Sequence, residues 1–146
     1  MTAPVFVDTN VFIYYLDEAD PKKFRASQQW LAELWKSHRG RVSFQVLQEF
    51  YSTASRKWPA LVPEIRAEIR DLLDWQPVAI DADIIESGWK LQDRYKISFW
   101  DSLIVSAAKA ASCGYVLTED MQAGQDLDGL LVVNPFRSDP DEIFQT

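Results

Sequence analysis

The chain has 146 residues, 47% hydrophobic, 25% charged and 13% aromatic, a length and balance that suit one folded domain over residues 1–146 rather than a disordered or fibrous chain. Its 15 Lys and Arg against 22 Asp and Glu leave a formal net charge of −7, which excludes a general basic coat for nucleic acid but not a local basic patch. A single cysteine, Cys113, excludes an internal disulfide, and a single histidine, His38, excludes a His-rich zinc site and a two-histidine acid–base mechanism.

The chain order of elements follows from periodicity and from capping residues. Val5-Phe6-Val7 is a short β-rich run ending at Asp8, and Val11 to Leu16 reads as a mostly buried helix. Asp20-Pro21 starts the next helix, with Asp as N-cap and Pro at the first helical position, and Gly40 is expected to stop it. Arg41-Val42-Ser43 is a second strand. Gln45 to Arg56 repeats Val46, Leu47, Phe50 and Ala54 at helical spacing. Pro59 ends that helix and Pro63 opens another. Pro77 to Ile80 is expected as a third strand, followed by a helix over Asp83 to Tyr95. Ser98 to Ser112 reads as a helix apolar on most sides, with Gly114 as its C-cap. Tyr115 to Thr118 and Leu130 to Val133 complete five strands. Residues 138–146 are read as a loose tail or a docking segment. No run approaches the ~18 apolar residues of a membrane span, and Met1-Thr2-Ala3-Pro4 has no basic region ahead of an apolar one. The expectation is a protein of a reducing cytoplasm, with no membrane partner.

Strands separated by helices imply parallel pairing through right-handed crossovers. The expected fold is α/β, a three-layer α/β/α sandwich around a central, mostly parallel five-stranded sheet. Ligands of such sheets sit outside the carboxyl ends of the strands. Asp8 directly follows strand one and Asp120 lies just past strand four. Glu49 and Asp101 lie early in helices, so four acids converge on one edge.

Each acid also has a local explanation. Asp8 can cap the next helix, Ser98-x-x-Asp101 fits a capping box, Glu49 can be a solvated helix residue and Asp120 a turn residue. Against these, Glu49 and Asp101 have no cation at helical contact spacing. Asp101 also heads the nearly uncharged segment Ser102 to Ala108, where a carboxylate needs a partner or a raised pKa. Oxygen ligands without His or Cys suit Mg²⁺ or Mn²⁺ rather than zinc. Two such ions would neutralise four carboxylates and allow a phosphodiester to approach, and a two-metal site suits phosphodiester hydrolysis.

Val5-Phe6-Val7-Asp8-Thr9-Asn10-Val11 resembles the opening motif of PIN-domain nucleases. Gln48-Glu49-Phe50-Tyr51, Phe99-Trp100-Asp101-Ser102-Leu103-Ile104 and Leu117-Thr118-Glu119-Asp120 resemble their later acidic motifs, and Val133-Asn134-Pro135-Phe136 their close. The resemblance covers almost the whole chain in order, and its small members are mostly VapC-type toxins. It implies an Mg²⁺- or Mn²⁺-dependent endoribonuclease, a homodimer and a cognate antitoxin protein that blocks the site. By motif match, Asp8 and Asp101 would be the main metal ligands, Glu49 would complete the site and position water, and Asp120 would be the fourth acid. Glu119 competes with Asp120, and the family's Thr-x-Asp spacing selects Asp120. Thr9, Asn10 and Thr118 match polar positions that would orient the carboxylates.

Rival readings remain. A phospho-receiver needs an acidic pair after strand one, and a dehalogenase-like phosphatase needs Asp-x-Asp, whereas Asp8 is followed by Thr9 and Asn10. A catalytically silent binding protein of the same fold, or a nuclease acting on DNA, is also compatible with the sequence. Surplus apolar residues on the helices Asp20–Arg39 and Pro63–Leu73, among them Trp30 and Trp35, are expected to be covered by a dimer partner or an antitoxin. Trp100, beside Asp101, is the tryptophan placed best to line the site. Three basic clusters could hold RNA: Lys22, Lys23 and Arg25; Lys36, Arg39 and Arg41; and Arg56 with Lys57. The second has a better claim because it leads into strand two, and the third ends the helix of Glu49, along which the substrate path is expected to run.

Overall fold

The first strand, Val5–Val7 (β1), lies between two neighbours and is buried at every residue, as a continuous apolar run covered on both faces of a sheet should be. The structure, a computed structural model, describes residues 3–144. β1 pairs in parallel with Gly40–Arg41 (β2) and with Tyr115–Leu117 (β3), and β3 pairs in parallel with Leu130–Val133 (β5). Asp126–Leu127 (β4) joins β5 antiparallel, so the order is β2-β1-β3-β5-β4. The helices Thr9–Leu16 (α1), Pro21–Ser37 (α2), Phe44–Lys57 (α3), Val62–Leu72 (α4), Ala82–Tyr95 (α5), Phe99–Ala110 (α6) and Asp141–Phe144 (α7) flank this sheet. The expected α/β architecture, with a mostly parallel sheet of five strands, is therefore present.

The membership of the sheet differs from expectation at one place. Pro77 to Ile80 is not a strand of the sheet. Val78 alone makes a parallel bridge to Ser43, donating to Val42 O at 3.0 Å and accepting from Phe44 N at 3.0 Å. Pro77 has no N–H to extend that pairing. The fifth strand is β4, which returns to β5 through Asp128 and Gly129, both at positive φ. Two such residues form the tight turn that matches strand twist.

Helix ends also differ. Asp20 caps α2 as expected, accepting from Lys23 N at 3.2 Å, with Pro21 at the first position. The left-handed residue closing α2 is His38 at φ 59°, not Gly40. Gly40 belongs to β2, where an added Cβ would lie 2.5 Å from the Trp75 ring. After α6 the left-handed residue is Ser112. Gly114 instead donates to Pro4 O at 3.0 Å beside β1.

The core runs through Phe6, Phe12, Phe50, Trp75 and Leu117. Trp30 is fully buried and donates to the carbonyls of Pro135 and Ser138 at 3.0 and 3.1 Å. Trp35 packs against Trp75 with ring centroids 5.0 Å apart. Trp30 therefore serves this chain's own interior, and the half-buried Trp35 packs on it. The C-terminal segment docks: Ile143 and Phe144 pack on the core and the Arg39 guanidinium lies 4.3 Å from the Phe144 ring centroid. Residues 145 and 146 lie outside the described residues.

Candidate active site

β1 and β3 are adjacent, yet the chain leaves them in opposite directions, β1 towards β2 and β3 towards β5. Their carboxyl ends make the crevice where ligands of open α/β sheets bind. Asp8 follows β1, and Thr118, Glu119 and Asp120 follow β3. Glu49 comes from the second turn of α3, which Ser43 caps by accepting from Val46 N at 3.3 Å. Asp101 sits in the first turn of α6, where its N–H donates to the cap hydroxyl of Ser98 at 3.0 Å.

Asp8 is buried, 6% exposed. It is also the N-cap of α1, so the local reading and the site reading both describe it. Its Oδ1 accepts from Thr9 N at 2.7 Å and its Oδ2 from the Thr118 hydroxyl at 2.8 Å, with the Asn10 amide at 3.4 Å. Burial pushes its pKa up to about 6; the bonds from Thr9 and Thr118 oppose that rise, and the charges of Asp120 and Glu49 add to it. Asp101 is also raised, first by burial and then by Asp120 and Glu49, against a lowering by Ser98. Asp120 and Glu49 thus act on both Asp8 and Asp101.

Asp8, Asp120 and Glu49 are held by neutral donors. Asn10 Nδ2 donates to Asp120 Oδ2 and to Thr118 Oγ1, both at 3.1 Å, and Thr118 Oγ1 accepts from Asp120 N at 3.1 Å. Glu49 accepts from the Thr9 hydroxyl and from Gln45 Nε2, both at 3.1 Å. Gln45 is itself buried, and its Oε1 has no hydrogen-bond partner. None of the four acids has an ion-pair partner among the described residues. Glu119 differs: its carboxylate pairs with Lys23 Nζ at 2.7 Å. Lys23 thus engages the Glu119 carboxylate, whereas that of Asp120 accepts from Asn10.

The donor set is oxygen only, anionic and free of lysine or arginine, which is the chemistry of a hard divalent cation. As the side chains stand, no three His, Cys, Asp or Glu among the described residues form a group that could hold a metal ion. The donor chemistry fits the ion, and closing the set requires side-chain movement.

Other predicted positions fall as follows. Trp100 is 63% exposed and stacks edge-on against Phe99, ring centroids 5.3 Å apart. Cys113 is buried, and burial pushes its thiol up to about 12. Of the basic clusters, Arg39 is buried and donates twice to Ala3 O, Arg41 donates to the carbonyls of His38 and Gly40, and Lys57 pairs with Asp17 at 3.3 Å. The Lys23–Glu119 pair joins residues 96 apart in the chain. Its sequence signal is a pair of lysines in the first turn of α2, with no acid there.

A family model described as PIN domain matches residues 5–124. Among curated proteins no significant sequence match is found. Among solved structures, a toxin–antitoxin complex from Klebsiella pneumoniae matches with TM-score 0.63 at 20% identity, covering 91% of this chain and 98% of that one. VapC20 of Mycobacterium tuberculosis, a sarcin-ricin loop cleaving toxin, matches with TM-score 0.60 at 20% identity, covering 77% and 86%. VapBC2 from Rickettsia felis, bound to a DNA fragment from its promoter, matches with TM-score 0.60 at 17% identity, covering 89% and 97%. No helix among the described residues is long and apolar enough to cross a membrane. The family match spans most of the chain and includes all four acids, and the chain belongs to the PIN domain family.

Proposed function

We propose that this protein is a metal-dependent endoribonuclease, the toxin of a VapBC-type toxin–antitoxin pair acting in the cytoplasm. The observation that carries the reading is Asp8: a buried carboxylate with a raised pKa, acted on by the charges of Asp120 and Glu49 and without an ion-pair partner among the described residues. A protein keeps such a group where a cation is to be bound. That a fold neighbour is an RNA-cleaving toxin supports RNA as the substrate, and that two others are toxin–antitoxin assemblies supports an antitoxin partner.

Asp8, Asp101, Glu49 and Asp120 would hold Mg²⁺ or Mn²⁺. When bound, the ion supplies charge for the phosphodiester and lowers the pKa of the attacking water. The remaining work belongs to this chain. Thr118 and Asn10 fix the Asp8 and Asp120 carboxylates. Thr9 and Gln45 fix Glu49, whose exposed carboxylate positions the attacking water. A homodimer belongs to the same reading. The apolar groove between α3 and α4, lined by Phe44, Leu47, Tyr51, Ile69 and Leu73, offers surface for a second copy or for the antitoxin.

Purified protein should cleave RNA with Mg²⁺ or Mn²⁺ and stop with EDTA. Asp8→Asn and Asp101→Asn should each abolish cleavage with the fold retained. Full activity in both variants would overturn the assignment.

A further inference from the structure

Lys22 and Lys23 occupy the first turn of α2, a 17-residue helix with no acid in that turn. Cations there oppose the helix dipole, whose amino end favours anions. The arrangement is electrostatically unfavourable for the helix alone and favourable once an anion is present. The two lysines line a pocket of about 270 Å³ with Glu119, Asn134, Phe136 and Arg137. Lys23 Nζ lies 4.6 Å from the Tyr14 ring centroid and 5.2 Å from that of Phe136, and pairs with Glu119. Lys22 and Arg137 are exposed, with no ion-pair partner among the described residues. Three cations therefore face one acid, on a chain of net charge −7.

The pocket adjoins the carboxylate site. Glu119 lies between Thr118 and Asp120, and its N–H donates at 3.3 Å to Asn10 Oδ1, the oxygen of the amide that reaches Asp120. Elsewhere the basic clusters are largely engaged by the fold, through the buried Arg39 and the ion-paired Lys57. The strand carboxyl edge thus carries acids for a cation and, one residue away, cations for an anion.

We infer that this pocket is a phosphate subsite, in which Lys22, Lys23 and Arg137 hold the RNA phosphodiester next to the scissile one; the inference rests on the ribonuclease reading above. The volume suits one phosphate and its sugar and not a duplex. The exposed cations bind the phosphate oxygens, and the α2 amino end adds to their field. Lys23 bridges the pocket to Glu119 and fixes the distance of the held phosphate from Asp120.

The test uses the full chain. Wild-type protein is assayed for Mg²⁺-dependent RNA cleavage, and an eight-nucleotide single-stranded RNA is bound to Asp8→Asn protein with and without Lys22→Gln and Arg137→Gln. Both added substitutions are on exposed side chains, so folding is retained. The expected result is cleavage by the wild type, affinity about tenfold weaker in the triple variant, and a salt slope shallower by about 0.7 for the one phosphate lost. Lys22→Arg with Arg137→Lys in the same background should restore both. Cleavage by the wild type with unchanged affinity and slope in the triple variant would overturn the subsite alone. No RNA cleavage by the wild type would overturn the ribonuclease reading, and the RNA subsite with it.

Discussion

The Asn10 side-chain amide donates to Asp120 Oδ2 at 3.1 Å and lies 3.4 Å from Asp8 Oδ2, so one neutral group ties the carboxylate after β1 to the carboxylate after β3. Its Oδ1 accepts from Glu119 N, which fixes the amide's orientation. Groups that orient metal ligands typically contribute 10–100-fold in affinity or activity. Asn10→Ala should therefore weaken Mg²⁺ binding and cleavage by about 10–100-fold while the fold persists. Calorimetric metal titration beside a cleavage assay checks it, and unchanged metal affinity would remove Asn10 from the site.

The raised pKa of Asp8 has a consequence for stability without metal. Its folded pKa, about 6, lies above the ordinary 3.8, so the folded protein binds more protons than the unfolded chain between these values. Stability then falls as pH rises through that window. At pH 7 the ionised group costs about 3 kcal/mol, at ~1.4 kcal/mol per pH unit. Asp8→Asn removes this charge but weakens the bonds to Thr118 and Asn10. The net gain expected at pH 7 is about 1–2 kcal/mol, or a Tm higher by about 3–8 °C. Near pH 4 the gain should vanish. Thermal melts in EDTA at both pH values decide it.

The same proton opposes the cation. A metal ion needs Asp8 ionised, so below about pH 6 each bound ion must release one proton. Apparent metal affinity should fall about tenfold per unit below that point. The raised pKa of Asp101 steepens the fall. Titrations at pH 5, 6 and 7.5 measure the slope, and a flat profile would contradict the burial of Asp8 as an ionisable group.

Much of this site is legible in the sequence because its parts are local. Asp8 and Asp101 stand at helix starts, and those starts are marked by Asp8-Thr9-Asn10 and by Ser98. The alternation of strand and helix then brings the acids to one edge. What escapes is non-local or weakly marked. The Lys23–Glu119 pair joins residues 96 apart in sequence. The β4–β5 hairpin is very short, and its only sequence mark is the Asp128-Gly129 turn. Pro77 to Ile80 has the composition of a strand, but only Val78 finds a partner. Glycine positions misled most directly, because Gly40 and Gly114 follow helices yet serve close backbone approach, while His38 and Ser112 take the left-handed conformation.

That exchange of roles between His38 and Gly40 makes opposite predictions for two neighbouring substitutions. A Cβ at Gly40 would lie 2.5–2.6 Å from three atoms of the Trp75 ring. The ring cannot swing aside freely: Trp75 is 4% exposed and packs against Trp35 and Phe12. Gly40→Ala should cost about 1–3 kcal/mol, the usual range for overpacking. For a chain of this length that lowers Tm by about 3–10 °C. His38 sits at φ 59° with its side chain exposed, so a side chain there costs conformational energy and packs little. His38→Gly should raise stability by about 0.5–1 kcal/mol. Denaturant melts of the two single variants measure both signs. Were Gly40 instead the left-handed stop of α2 and His38 an ordinary helical residue, Gly40→Ala would cost only about 1 kcal/mol and His38→Gly would lower stability rather than raise it.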